Sequence, residues 1–208
     1  MSSTETPLPG SYRWALVAAV VVGFQVSLAA GFDVQAAFNH AEPPSLTGSE
    51  SALPGLGLSP LAQRQIVLAA ASGHQTALES LVPWRIVSSL LLAIASGLVF
   101  VLGMRLRVTQ EHRPGTAQQL GIAALAAAAL RSIDGAENLV IVRTVFTEVG
   151  KAIVREGVHD AEAMSGVVLF ICSAASAGWT LVIVAGFVML GNYFRSETLR
   201  TALARAEP

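Results

Sequence analysis

The sequence predicts an all-α fold: an integral membrane four-helix bundle with an external loop that contains a short amphipathic helix. Hydrophobic residues make up 53% of the 208 residues and charged residues only 13%, whereas soluble domains contain about 25% charged residues. A helix needs about twenty apolar residues to cross a bilayer, and segments of that length recur in four places, the third of them interrupted by charged residues. We expect one membrane domain over residues 1–208, with spans at about 13–32, 84–104, 118–146 and 164–194.

The composition and the absent motifs exclude several classes of function. A net charge of −1 does not suit nucleic acid, which requires clustered Lys and Arg. The sequence has no phosphate-binding glycine loop, no HExxH and no CxxC motif. Its one cysteine, Cys172, lies in an apolar run, and its four histidines are scattered over the predicted loops. We therefore expect no catalytic residue, no metal, no cofactor and no nucleic-acid partner.

The first span comes after a polar N-terminal segment and begins near Trp14. Its small residues Ala19, Gly23 and Ser27 are four positions apart, which places them on one helix face where another helix can approach closely. Ser27-Leu28-Ala29 also resembles the cleavage site of a signal peptide. Because the apolar run continues to Phe32, the sequence favours an uncleaved anchor.

Residues 33–83 are predicted to form the external loop, since prolines and glycines interrupt the first part of this segment. Ser59-Pro60 then favours a helix start, because serine caps helices and proline is tolerated in their first turn. A short amphipathic helix is expected to about Ser72 and again before Leu81. It lies on the membrane surface in one interpretation and is a solvated helix in the other.

The second and fourth spans repeat the pattern of small residues. Trp84 and Arg85 introduce the second span, and Arg105 and Arg107 mark its end. The small residues that we expect to pack against other helices are Ser89, Ala93 and Gly97 in the second span, and Ser173, Ala177, Ala174 and Gly178 in the fourth. We expect the tail after Arg195 to be a frayed helix in water.

The third helix is exceptional because it places ionisable residues near the middle of a predicted span. A run of eleven apolar residues, 120–130, is too short to cross the bilayer by itself, so the span must continue beyond Leu130. Arg131, Asp134, Glu137 and Asn138 then fall within about a third of the helix circumference. Each charge at this depth costs about 2.5–3.5 kcal/mol. The sequence therefore predicts that this polar face points inward.

The charges of this polar site do not balance within the helix. Arg131 and Asp134 are three residues apart and can pair, which leaves Glu137 without a cation because no other span is expected to supply a charge at that depth. A buried carboxyl then holds a proton. One hypothesis is a proton-carrying site formed by Asp134 and Glu137. The other is that these residues only fasten helices together.

The basic residues predict the orientation of the chain. Seven lie in the termini and in the loop between the second and third spans, against four on the opposite side. Because cytoplasmic segments carry the excess of Lys and Arg, both termini are expected in the cytoplasm of a cell membrane, most simply a bacterial inner membrane. The sequence favours a non-enzymatic subunit or scaffold that meets the lipid bilayer and a protein partner or a second copy through its small-residue faces. A small proton-linked carrier or channel component is the alternative.

Overall fold

A computed structural model of the chain describes residues 10–38, 59–108, 114–156 and 161–206. In chain order, the helices in these ranges are α1 (Gly10–Phe38), α2 (Pro60–Val108), α3 (Pro114–Arg155), α4 (Ala161–Arg195) and α5 (Glu197–Ala206). The described part of the chain is thus all-helical, and the predicted all-α class is confirmed for it.

Three of the described helices are long and apolar enough to cross a membrane. The qualifying stretches are Gly10–Gln35 in α1, Leu61–Val108 in α2 and Ser165–Arg195 in α4. Although α3 is 42 residues long, it is more polar than the other three because ionisable residues lie at its centre. The helices are those expected of a membrane protein, while a fourth span at 118–146 stays a prediction.

The start of α2 lies where Ser59 and Pro60 predicted it. The Ala62 amide donates a hydrogen bond to the Ser59 hydroxyl over 3.2 Å, which is the N-cap interaction expected of serine. The helix then continues for 49 residues and includes Pro83. The prediction of a separate short helix within loop 33–83 was therefore wrong, because that segment is the first part of α2. Residues 39–58 of the predicted loop lie outside the described residues.

Pro83 does not end α2, although a proline inside a helix removes one backbone donor. The carbonyl of Glu79 loses its usual partner, a loss that packing against neighbouring helices commonly offsets. Ala77 and Arg85 are buried on either side of this position. The expected start of the second span at Trp84 is consequently an interior position of a longer helix.

The connection predicted after Phe146 is also largely helical, since α3 continues to Arg155. Lys151 donates to Glu148 over 2.6 Å, a pairing three residues apart on one helix face. Ala152 is buried one position later. Local pairing and burial together extend the helix beyond the segment that apolarity alone indicated.

The expected solvated tail instead contributes to the core. The chain bends at Ser196, whose hydroxyl donates to the Tyr193 carbonyl over 2.8 Å and accepts from the Leu199 amide over 3.4 Å. In α5, Leu199 and Leu203 are buried. Their spacing of four residues places both on the same face of the helix, and burial of that face holds α5 in place.

The chain divides into two compact units. Unit 1 comprises Met1–Val34, Val87–Ile133 and Thr180–Pro208, and unit 2 comprises Gln35–Ile86 and Asp134–Trp179. The core of unit 1 draws large side chains from α1, α2, α3, α4 and α5, among them Tyr12, Leu16, Leu92, Val99, Leu120, Phe187 and Leu203. The core of unit 2 includes Ala62, Ile66 and Ala77 of α2 with Ile141 and Ala152 of α3.

Candidate functional site

The polar residues predicted on α3 divide between the two units. In unit 2, Asp134 is 0% and Glu137 5% exposed, and Asn138 is half-buried. Arg131 belongs to unit 1 and is half-buried there. The two acids are therefore removed from solvent by protein atoms of this chain. On the rest of the helix surface, the exposed apolar residues include Ile122, Ile133 and Val140.

Arg85 of α2 joins this polar face within unit 2. Its side chain is 8% exposed, and its Nη1 and Nη2 atoms both donate to Oδ1 of Asn138 over 3.1 Å. A guanidinium presents its donors in a fixed planar fork, so two bonds to one oxygen fix its orientation. The contact connects α2 to α3 through charge-assisted hydrogen bonds.

Asn138 extends the contact to a carboxyl group. Its Nδ2 atom donates to Oδ2 of Asp134, one turn earlier on α3, over 3.3 Å. The carbonyl end of the amide thus accepts from a cation while its amino end donates to an acid. These two contacts assign the orientation of the Asn138 amide, since the reverse orientation would place donors against the guanidinium. We call Arg85, Asn138 and Asp134 the polar chain of unit 2.

The buried ionisable groups of unit 2 include one guanidinium and two carboxyls. Burial of an ionised group is costly unless hydrogen bonds and an opposite charge compensate it. Arg85 provides positive charge from a second helix, although the sequence predicted no cation from another helix at this depth. The expectation that α3 alone supplies the charges of the site was therefore wrong.

Arg85 was not predicted at this site because Pro83 suggests the boundary of a span. A residue directly after such a boundary belongs to the membrane surface, where arginine is common. In the continuous α2, Arg85 is an interior residue. One signal in the sequence indicates this position: Ser88 and Ser89 lie three and four residues later and therefore share its helix face.

The small residues of α1 and α2 meet within unit 1. A Cβ atom added at Gly23 would lie 2.8 Å from the Phe100 backbone nitrogen and 2.9 Å from the Ser96 carbonyl oxygen. The Ser27 hydroxyl donates to the Ala93 carbonyl over 3.0 Å, and a Cβ at Gly97 would lie 3.3 Å from the Ser27 oxygen. The two backbones come close because these side chains are small.

Ala19 of α1 and Ser89 of α2, the other small residues named from the sequence, are also buried within unit 1. Ala19 is buried in its core, and a Cβ at Gly103 would lie 3.5 Å from the Ala19 Cβ. Ser89 is 0% exposed, and its hydroxyl oxygen has no hydrogen-bond partner among the described residues. The sets named from the sequence thus share one α1–α2 contact region, with Ser89 buried further along α2.

The small residues named on α4 have different surroundings. Ser173 and Ala177 are half-buried, whereas Ala174 and Gly178 are exposed. A Cβ added at Gly178 would meet no described atom of this chain within 4 Å. These four residues belong to unit 2, and the described structure does not bring Ala174 or Gly178 against a neighbouring helix.

The close approach of α4 to α3 in unit 1 occurs at two other glycines. A Cβ at Gly191 would lie 2.6 Å from Leu125 Cγ and 3.1 Å from the Gly121 carbonyl oxygen. A Cβ at Gly121 would lie 2.9 Å from the Gly191 carbonyl oxygen. The sequence analysis did not predict this pair, because it searched for small residues spaced four apart on one helix. Gly121 and Gly191 lie on different helices.

The described residues contain no group of three or more His, Cys, Asp or Glu side chains that could hold a metal ion. Cys172 is a half-buried thiol on α4, and His74 is exposed on α2. The candidate site is thus a hydrogen-bonded polar chain between two helices. Its described hydrogen bonds fasten α2 to α3.

No protein-family model, curated protein or solved structure matches the chain. The nature of the protein must therefore be inferred from its own helices and polar chain. It is an all-helical protein over its described residues, with three helices suited to a membrane and with a buried polar chain joining α2 to α3.

Proposed function

We propose that the protein is a multi-pass membrane protein that serves as a non-enzymatic subunit or scaffold of a membrane assembly. In this proposal α3 is the fourth span, both termini are cytoplasmic and the membrane is a bacterial inner membrane. The observation that carries the proposal is the polar chain of unit 2. Asn138 is bonded at both ends of its amide, so these polar groups hold one another and join two helices.

The surface of α4 favours a partner within the membrane. In the most apolar stretch of 18 residues of α4, no residue is buried. Large side chains such as Phe170, Leu181 and Val182 are exposed. Lipid or another helix must cover this surface in a bilayer. Ala174 and Gly178 lie four residues apart on α4, and small residues at this spacing allow a helix of a partner subunit or a second copy to approach.

Isolation of the native assembly tests the scaffold function. The tagged protein is extracted from its own membranes with a mild detergent, and the mass of the complex is measured for the wild type, Gly178→Leu and Val168→Leu. We expect Gly178→Leu to release the partner while the melting temperature is unchanged, because no described atom of this chain lies near a Cβ at that position. Val168→Leu, which changes an exposed residue on a different face of α4, is the control and retains the complex. A wild type that is monomeric in native membranes contradicts the proposal.

A proton-linked carrier or channel component is the second candidate function. It is favoured by one observation, namely that two carboxyls, Asp134 and Glu137, are buried on one helix. Acids inside membrane spans commonly belong to proton pathways of transporters, and these two carboxyls would serve as proton carriers in such a protein.

Proton flux in reconstituted vesicles separates the two functions. Glu137→Gln removes a titratable group and keeps the shape of the side chain, so a carrier loses its flux while a scaffold still assembles. Glu148→Gln, which changes an exposed carboxylate paired with Lys151 on the same helix, is the matched control. Wild-type vesicles without proton flux exclude the carrier, and flux that survives Glu137→Gln removes Glu137 from its mechanism.

A further inference from the structure

Exposed arginines gather at one end of unit 1, where α1 and α3 begin and α2 and α4 end. We call this set the basic face, and its members are Arg13, Arg105, Arg107, Arg195, Arg200 and Arg205. Among the described residues of this end, one side chain, Glu197, is acidic. Positive charge therefore predominates among the described residues of this end, although the net charge of the whole chain is −1.

Contacts between the helix ends place these arginines on one surface. The Tyr12 and Phe194 rings pack edge to face with their centroids 6.2 Å apart, and the Ser11 and Tyr193 hydroxyls are 3.0 Å apart. These contacts join the start of α1 to the end of α4. Leu106, between Arg105 and Arg107 at the end of α2, is buried in the core to which Tyr12 and Phe194 also belong.

The C-terminal helix α5 adds two arginines to this surface. Its apolar residues Leu199 and Leu203 are buried in the core of unit 1, whereas Arg200 and Arg205 are exposed. An amphipathic helix that inserts into a membrane directs its apolar face to the acyl chains. In α5 the leucines of that face are already occupied by protein, so the surface that the helix presents to a ligand is mainly charged and polar.

Next to the basic face, the side of unit 1 is apolar. Trp14 is adjacent to Arg13 and is 76% exposed, and Val21 and Val101 are exposed further along α1 and α2. Tryptophan at this position suits the boundary between headgroups and acyl chains. A ligand that matches both surfaces carries a negative headgroup and an apolar tail.

We propose that the basic face binds the phosphate groups of anionic phospholipids. Arginine forms paired, charge-assisted hydrogen bonds with phosphate oxygens, and basic residues next to a membrane attract anionic lipids. The inference rests on the proposed membrane location but adds a lipid class and the residues that select it. Free phosphate would satisfy the arginines alone and would leave the adjacent apolar surface without a function.

Lipid competition in nanodiscs tests the inference. The full chain is reconstituted in equal parts of phosphatidylglycerol and phosphatidylcholine, and the lipids retained on the protein are measured by native mass spectrometry. We expect the wild type to retain phosphatidylglycerol preferentially. The triple variant Arg107→Gln, Arg200→Gln, Arg205→Gln is expected to lower that preference by about a hundredfold, since each of the three basic residues near an anionic surface contributes about fivefold.

A second triple variant, Arg64→Gln, Arg143→Gln, Arg155→Gln, removes three exposed arginines of unit 2 and serves as the matched control. Melting in pure phosphatidylcholine verifies that both variants fold. An equal loss in the control overturns the inference, as does a wild type without preference or one that binds inorganic phosphate as tightly as short-chain phosphatidylglycerol in detergent. Failure of the wild type to float with liposomes would instead refute the membrane location itself.

Discussion

Both terminal nitrogens of the Arg85 guanidinium donate to the same oxygen atom, Oδ1 of Asn138, each over 3.1 Å. The shared oxygen joins α2 to α3, and the other end of the Asn138 amide donates to Asp134. Because all of these polar groups are partly or fully buried, their hydrogen bonds are stronger than they would be in water and costly to break.

Arg85→Ala is expected to lower the free energy of unfolding by roughly 1.5–3 kcal/mol, which is the contribution typical of hydrogen bonds to a charged group. The control, Arg64→Ala, removes an exposed arginine from the same helix. It should change the free energy of unfolding by no more than about 0.5 kcal/mol. Chemical unfolding in detergent micelles measures both values. Equal effects of the two substitutions would show that Arg85 does not fasten α2 to α3.

Gly23→Ala is expected to destabilise the protein by about 1–3 kcal/mol, the usual cost of overpacking. The added methyl group would lie 2.8–2.9 Å from backbone atoms of α2, and backbone cannot rotate away. Gly31→Ala, on the same helix, meets nothing within 4 Å and should keep or raise stability by up to about 1 kcal/mol through helix propensity. Thermal melting measures the stability of both variants. If Gly23→Ala is as stable as Gly31→Ala, α1 and α2 do not approach each other closely at Gly23.

Gly191→Ala is expected to cost less than Gly23→Ala, about 1 kcal/mol. Its nearest neighbours are Cγ and Cδ2 of Leu125, at 2.6 and 2.8 Å, which a change of rotamer can displace. The nearest backbone atom, the Gly121 carbonyl oxygen at 3.1 Å, is farther away than those that face Gly23. Gly186→Ala is the control on α4, since a Cβ there meets nothing within 4 Å. The same melting experiment gives the order of the three variants. A loss at Gly186 as large as that at Gly191 would mean that α3 and α4 do not meet at Gly191.

Reporter fusions measure the topology of the chain. Fusions after residues 110 and 208 are expected to report the cytoplasm and fusions after residues 55 and 157 the opposite side. In the predicted topology seven basic residues fall on the first side. Four fall on the second, or three when the buried Arg85 is left out. An external signal after residue 157 requires α3 to cross the membrane. A cytoplasmic signal there would leave three spans and refute the fourth.

The helical class was predictable because it depends on local sequence. Apolar runs in α1 and α4 exceed the length that a bilayer requires, and Ser59 with Pro60 indicates the first turn of α2 through the intrinsic preferences of two residue types. The length of α2 was not predictable in this way. Pro83 weakens the helix locally, and only burial of residues on either side of it, such as Ala77 and Arg85, keeps the helix continuous.

The candidate site shows the same division. The spacing of Asp134, Glu137 and Asn138 placed them near one another on α3, because helical periodicity is a property of the sequence. That Arg85 would meet Asn138 required the packing of two helices whose paired residues are 53 positions apart. No local pattern encodes which residue of another helix lies opposite.

Residue type and periodicity are sufficient to specify a helical chain, long apolar helices and a polar face on α3, because each of these properties is local. Three features depend instead on how the helices pack: Arg85 is an interior residue bonded to α3, Gly191 rather than Gly178 lies against a neighbouring helix, and α5 covers the core through its leucines. By sequence alone, several faces of a helix are equally suited to contact a neighbour. Packing selects one of them, because the free energy of burial depends on which helix lies opposite.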